Sequence, residues 1–343
     1  MKTFLKTSLK TSLTALALAG SVAAAQAQDV TIRVHHFLSS KAPLHAQVLV
    51  PLAERIAEAS DNRIKIEIFD SMSLGGRPGD LYDQAVDGAV DAVLTLPGYT
   101  PGRFNRAEVF ELPFMMQDAV ATSKAFWDLI DGDLQGAEFD EVQVLSGWVH
   151  GPGVIHSKEP IASLEDMSGK ELRGPTRLIT DLLGELGATP VGMPLPLIPE
   201  NLSKGVISGT VIPWEVTPSI KLAELVTNHT EISGDRALYT AVFVLAMNRD
   251  AYDAMPEDLQ AILDAETGKA MAEFASSVMV GADAFGRTQA EANTFITLDE
   301  AEVARWIEAS QPVYDRWIAR ASDEGFDGEA AIAQAQDLIA ANQ

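Results

Sequence analysis

The segment from Asp166 to Glu215 limits the possible architectures more than any other stretch of this chain. A short strand, Glu171-Leu172-Arg173, ends on a guanidinium and runs straight into the turn Gly174-Pro175 and a helix start. Further on, a second strand ends in Ile212-Pro213-Trp214. Where strands and helices alternate, the strand ends gather along one rim of the sheet, and that rim is where such sheets bind ligands. A planar guanidinium at the rim can give two parallel, charge-assisted hydrogen bonds to a carboxylate. The segment therefore reads as a carboxylate clamp, with Trp214 as an aromatic wall.

The same alternation runs along the rest of the chain and predicts an α/β fold. Val30-Thr31-Ile32-Arg33-Val34-His35 alternates apolar and polar residues and reads as the first strand, opening onto a loop at His36-Phe37-Leu38. A helical pattern follows, in which Pro51 marks either a kink or the true helix start. Two more strands are expected at Ile64–Phe69 and Asp91–Leu96, the second leading into the loop Pro97–Phe104. After a strand at Val142–Val149, Gly151-Pro152-Gly153 suits a crossover between domains. Ala237–Asn248 is apolar enough to return to the first domain. Pro256 opens a helical region reaching Asn293, with Gly281 as a candidate break, and helical patterns at Glu300–Ala321 and Glu329–Ala341 close the chain.

The first residues carry an export pattern. Lys2, Lys6 and Lys10 precede an apolar stretch from Leu13 to Ala19, and Ala25-Gln26-Ala27 fits a cleavage site, so residues 1–27 read as a signal peptide and the mature chain as periplasmic. The apolar stretch is shorter than the ~20 residues a membrane span needs. Loss of those lysines makes the formal charge of −24 more negative still. So acidic a surface repels nucleic acid and anionic membranes, both of which are bound by Lys/Arg clusters. With no Cys, disulfides cannot contribute in an oxidising compartment, and stability must come from apolar cores.

Catalytic patterns are missing. There is no Gly-x-Ser-x-Gly elbow, no Cys nucleophile and no Gly-x-x-x-x-Gly-Lys-Ser/Thr loop. His35 and His36 are adjacent on a strand and face opposite ways, so they cannot share a metal. No cofactor is expected.

Pieces spread over nearly all of the chain resemble the DctP-type solute-binding proteins of tripartite ATP-independent periplasmic (TRAP) transporters. They include Asn62-Arg63-Ile64-Lys65-Ile66, Met72-Ser73-Leu74-Gly75-Gly76 and Glu111-Leu112-Pro113-Phe114. Others are Leu164-Glu165-Asp166-Met167-Ser168-Gly169-Lys170-Glu171-Leu172-Arg173, Leu186-Gly187-Ala188-Thr189-Pro190-Val191 and Gly205-Val206-Ile207-Ser208-Gly209. Each is weak alone; their order and spacing are specific. The resemblance implies a two-domain periplasmic-binding-protein fold of type II-like form, with hinge-linked lobes and a long C-terminal helical region. Lobe I would comprise residues 28–150 with about 238–280, and lobe II residues 151–237 with about 281–343. It further implies a monomer that captures a small organic acid and delivers it to integral-membrane permease subunits. A binding protein of an ATP-driven importer and a ligand-presenting periplasmic sensor are the alternatives, and a periplasmic enzyme a remote one.

The resemblance also suggests roles for single residues. Arg173 matches the arginine that holds the substrate carboxylate. Where the sialate-binding members carry a pocket Asn and a second Arg, this chain has Ile212 and Gly153, which argues for a smaller or more apolar acid, aromatic or branched. Tyr99, Thr100 and Arg103 match a ligand-lining loop; Tyr99 is the preferred wall, while Arg103 equally suits a brace for the loop. His36 and Phe37 fall where the first strand opens onto the cleft, and Met193 to Leu195 match an apolar contact. Arg177 lies four residues past Arg173 and is read as a second anion contact or a salt bridge. Trp214 is read as a stacking surface or interdomain packing, and Glu215 as an acceptor for a ligand hydroxyl or ammonium or, the better reading, a solvated surface residue. Tyr239 and Phe243 read as core.

Overall fold

The computed structural model describes residues 30–343. The expected signal peptide, residues 1–27, lies outside them. The described chain builds two sheets. Strands β1 (Val30–His36), β2 (Ile64–Phe69), β3 (Ala92–Thr95) and β4 (Val142–Val149) join β10 (Val242–Asn248) in the first, in the order β2-β1-β3-β10-β4. The first three run parallel, whereas β10 is antiparallel to both of its neighbours. Strand β3 is buried along its whole length, as its unbroken Ala92-Val93-Leu94 run demands of a strand covered on both faces.

The second sheet contains β5 (Val154–Ser157), β6 (Glu171–Gly174), β7 (Thr189–Gly192), β8 (Gly209–Ile212), β9 (Asn228–Ile232) and β11 (Thr294–Leu298). Its order is β11-β9-β5-β8-β6-β7, and β6 is parallel to both β7 and β8. The helix Arg177–Glu185 follows β6 and buries Leu178, Ile179, Leu182 and Leu183, one apolar stripe at helical spacing. That packing fixes the β6 end carrying Arg173.

Apart from the helical region that joins β10 to β11, the chain passes between the sheets through two short segments, residues 150–153 and residues 233–241. These two crossings are bonded to each other, the Gly153 N–H donating to the Tyr239 carbonyl at 3.0 Å. A long helix, Gly268–Thr288, packs against Ala119–Leu129 beside the first sheet and against the turn Trp214–Ile220 beyond the second. The next helix, Glu300–Asp323, packs against Arg177–Glu185, and the last, Gly328–Ala341, returns to Ala119–Leu129. Both lobes are thus strapped by the C-terminal helices.

Several details depart from expectation. Gly281 lies inside a continuous helix; the break falls instead at Thr267-Gly268, where Gly268 takes a positive φ of 65°. Pro51 sits in the first turn of the helix Val50–Ala59, where its missing N–H costs no hydrogen bond. Strands β9 and β11 were not foreseen, because the half-exposed β11 at the sheet edge has little apolar alternation. Among the described residues, no helix is long and apolar enough to cross a membrane.

Candidate functional site

A cavity lies between the sheets, directly over the two crossing segments. From the first lobe it is lined by Phe37 and Leu38 after β1, Leu96 and Tyr99 after β3, and Phe243 on β10. Arg173, Pro175, Leu195, Ile212 and Glu215 line it from the second, and His150 and Tyr239 form its floor at the crossings.

Arg173 is 1% exposed. Its Nε donates to the Met193 carbonyl at 2.8 Å and its Nη1 to the Val211 carbonyl at 3.2 Å. These bonds aim the guanidinium, and the Tyr99 and Tyr239 hydroxyls also act on it. Among the described residues no carboxylate pairs with Arg173, and burial pulls it below its ordinary value. A buried cation without a counter-ion costs several kcal/mol, so an anion beside it would stabilise this arrangement.

The other polar groups of the lining are mostly occupied. The Tyr99 hydroxyl accepts from the Leu195 N–H at 3.1 Å, across the lobes. His150 Nε2 accepts from the Ala241 N–H at 3.1 Å, so its Nδ1 carries the proton and donates to the Gly151 carbonyl at 2.5 Å. Burial brings this imidazole down to about 4, and it stays neutral. The Tyr239 hydroxyl is buried without a hydrogen-bond partner. A Cβ on Gly153 would lie 2.0 Å from the Tyr239 ring. The position that carries an arginine in the sialate-binding relatives must therefore be glycine here, since Tyr239 occupies its space.

The remaining candidates fall in different surroundings. Phe37 meets Tyr99 edge to face at 5.2 Å, and both face the cavity with Glu215. Trp214 does not: its ring packs on His156, His229 and Phe295, and its Nε1 donates to Glu231 at 2.8 Å. It packs within the second lobe, against β5, β9 and β11, rather than between the lobes, and the aromatic wall comes from Tyr99, Phe37, Tyr239 and Phe243 instead. His36 points away from the cavity to His45 at 2.9 Å, and burial followed by the neighbouring imidazole lowers it to about 3. Arg103 pairs with Asp83 and Glu141 and stacks over Tyr82, bracing its loop from outside. Met193 contributes its carbonyl to Arg173, while its side chain lines a shallow outer groove with Arg177.

Arg177 forms an ion pair across the lobes rather than an anion site. Its Nη2 reaches Glu108 at 3.0 Å and Asn105 at 2.5 Å, and Arg320 meets the same Glu108 at 3.1 Å. Beside it, the Thr176 hydroxyl donates to Glu111 at 2.7 Å. The lobes are therefore closed over the cavity, latched along one edge. Tyr239, Phe243 and His150 went unrecognised as lining because residues at a crossing have the same apolar signature as core.

A family model described as bacterial extracellular solute-binding protein, family 7 (DctP), matches residues 34–321. The chain belongs to this family, whose members are the solute receptors of TRAP transporters. A TRAP solute-binding protein of Rhodoferax ferrireducens T118, in complex with copurified benzoate, is 43% identical with a TM-score of 0.89, over 91% of this chain and 98% of that one. A marine metagenome TRAP protein specific for aromatic acid ligands, in complex with 3-hydroxybenzoate, is 40% identical with a TM-score of 0.90, over 92% and 99%. The outer membrane transporter protein TsaT of Comamonas testosteroni is 26% identical over 96% of this chain and 98% of its own length. The chain is accordingly a receptor, not an enzyme: it captures a small organic acid for delivery to membrane permease components.

Proposed function

We propose that the acid is an aromatic monocarboxylate of benzoate size. The observation that carries this reading is a fully buried guanidinium, without a carboxylate partner, facing a cavity walled by Phe37, Tyr99, Tyr239 and Phe243. The carboxylate docks on Arg173 and Tyr239, and the ring lies against the aromatic wall, burying apolar area worth about 25 cal/mol per Å². Ile212 in the lining favours a ring over a polyhydroxylated sugar acid. The benzoate and 3-hydroxybenzoate bound by relatives about two-fifths identical support the same class.

In this reading residues 1–27 direct export and are removed, and the mature protein works in the periplasm as a monomer. Lobe I is residues 28–150 with about 238–280, and lobe II residues 151–237 with about 281–343, whose last helix, Gly328–Ala341, reaches back across lobe I as a strap. They open at the crossings and close on the bound acid. Closure follows the ligand because only an anion offsets the desolvation of Arg173.

A thermal-shift screen of the mature protein tests the class. Benzoate, hydroxybenzoates and mandelate should raise the melting temperature, while galactonate and ectoine should leave it unchanged. A shift with galactonate or ectoine and none with the aryl acids would contradict it.

A further inference from the structure

Glu215 is only 6% exposed and lines the same cavity as Arg173. Among the described residues it has no ion pair, and its carboxyl oxygens have no hydrogen-bond partner. Its backbone N–H alone is engaged, donating to Asp283 Oδ1 at 2.8 Å. Asp283 belongs to the helix Gly268–Thr288 and underlies the turn that begins at Trp214, so a second carboxyl group backs Glu215. Burial and then the Asp283 carboxylate push Glu215 well above the usual carboxylate range.

The polar groups of the lining divide into two ends. The Tyr99 and Tyr239 hydroxyls act on the Arg173 guanidinium, whereas the charge acting on Glu215 is that of Asp283. His150 has both ring nitrogens occupied. Away from Arg173, Glu215 is therefore the one polar side chain of the lining with free hydrogen-bonding capacity. A neutral carboxyl group offers one O–H donor and spare acceptor positions, the complement of a phenolic hydroxyl. It offers nothing comparable to an unsubstituted ring edge, against which a buried polar group is left unpaired.

We propose that Glu215 is a specificity-determining residue that pairs with a hydroxyl on the ring of the bound acid, so that this receptor selects hydroxylated aryl carboxylates over unsubstituted ones. The proposal rests on the aromatic-acid reading of the site.

Calorimetric titration of benzoate and of 2-, 3- and 4-hydroxybenzoate into wild type, Glu215→Leu and Glu215→Met tests it. Wild type should bind at least one hydroxybenzoate about tenfold or more tighter than benzoate, the scale of one otherwise unmade buried hydrogen bond. In both variants that ratio should fall to near one. Two apolar side chains of different shape, each judged by a ratio measured on one preparation, separate the effect from a packing defect. A wild type without preference, or a preference that survives both substitutions, would overturn the role of Glu215 while leaving the aromatic-acid reading intact. Wild type that binds none of these acids would overturn both.

Discussion

A guanidinium taken out of water keeps its proton but loses its hydration, and the protein must replace what it lost. At Arg173 two carbonyls and the neighbouring tyrosines do so only partly, and in the proposed function the acid's carboxylate supplies the rest. Glu111 shows the opposite solution. Its carboxyl group is fully buried, accepts from Thr176 and from the Val242 N–H, and is pushed up by burial from 4.5 to about 8. The folded state therefore binds this proton more tightly than the unfolded chain does. The resulting stability is complete below about 4.5 and is lost as pH rises through about 8, at up to roughly 1.4 kcal/mol per pH unit. Glu111→Gln should flatten the dependence of melting temperature on pH between these limits relative to wild type; parallel profiles would refute the account. Arg173 was legible because its strand, turn and helix start all lie in one short segment. Trp214 begins the turn Trp214–Ile220 just past the end of β8, where strand alternation no longer says which side faces the cleft, so its place was not legible.

At the scale of elements, the site is made by four strand ends and the loops that leave them. Strands β1 and β3 present Phe37 and Tyr99, while β6 and β8 present Arg173 and Ile212. Closing the lobes brings the turn Pro97–Tyr99 against the start of the helix Arg177–Glu185 so tightly that a Cβ on Gly98 would lie 2.3 Å from Thr176 Cγ2. Glycine is required there by proximity, not by backbone conformation. Gly98→Ala should leave each lobe folded yet hinder closure, weakening ligand affinity by about tenfold or more, the scale of a 1–3 kcal/mol overpacking penalty. Unchanged affinity by calorimetry would mean that this contact gives way without cost. Most strands and the closing helices were legible from periodicity, which is strongest where elements are long or doubly covered. The edge strand β11 and its neighbour β9 were not, since β11 is half-exposed and the Asn228-His229-Thr230-Glu231 run of β9 carries little apolar signal.

On the scale of the whole molecule, a chain with a formal charge of −24 places Arg173, a buried cation without a carboxylate partner among the described residues, where its two sheets face each other. The surrounding acidity repels anions at long range, although salt screens that field beyond about 8–10 Å. Recognition is therefore a short-range event that needs the lobes to close. The two-lobe architecture was legible because strand–helix alternation and the crossover glycines are properties of the backbone. The lining was less so, because a cavity between lobes is built from residues far apart in sequence. Side-by-side calorimetric titration of wild type and Arg173→Ala, with the aryl acid that stabilises wild type most, tests the central claim directly. The account predicts a loss of about 2–5 kcal/mol, roughly thirty-fold to several thousand-fold in affinity. An Arg173→Ala protein that binds within threefold of wild type would contradict it.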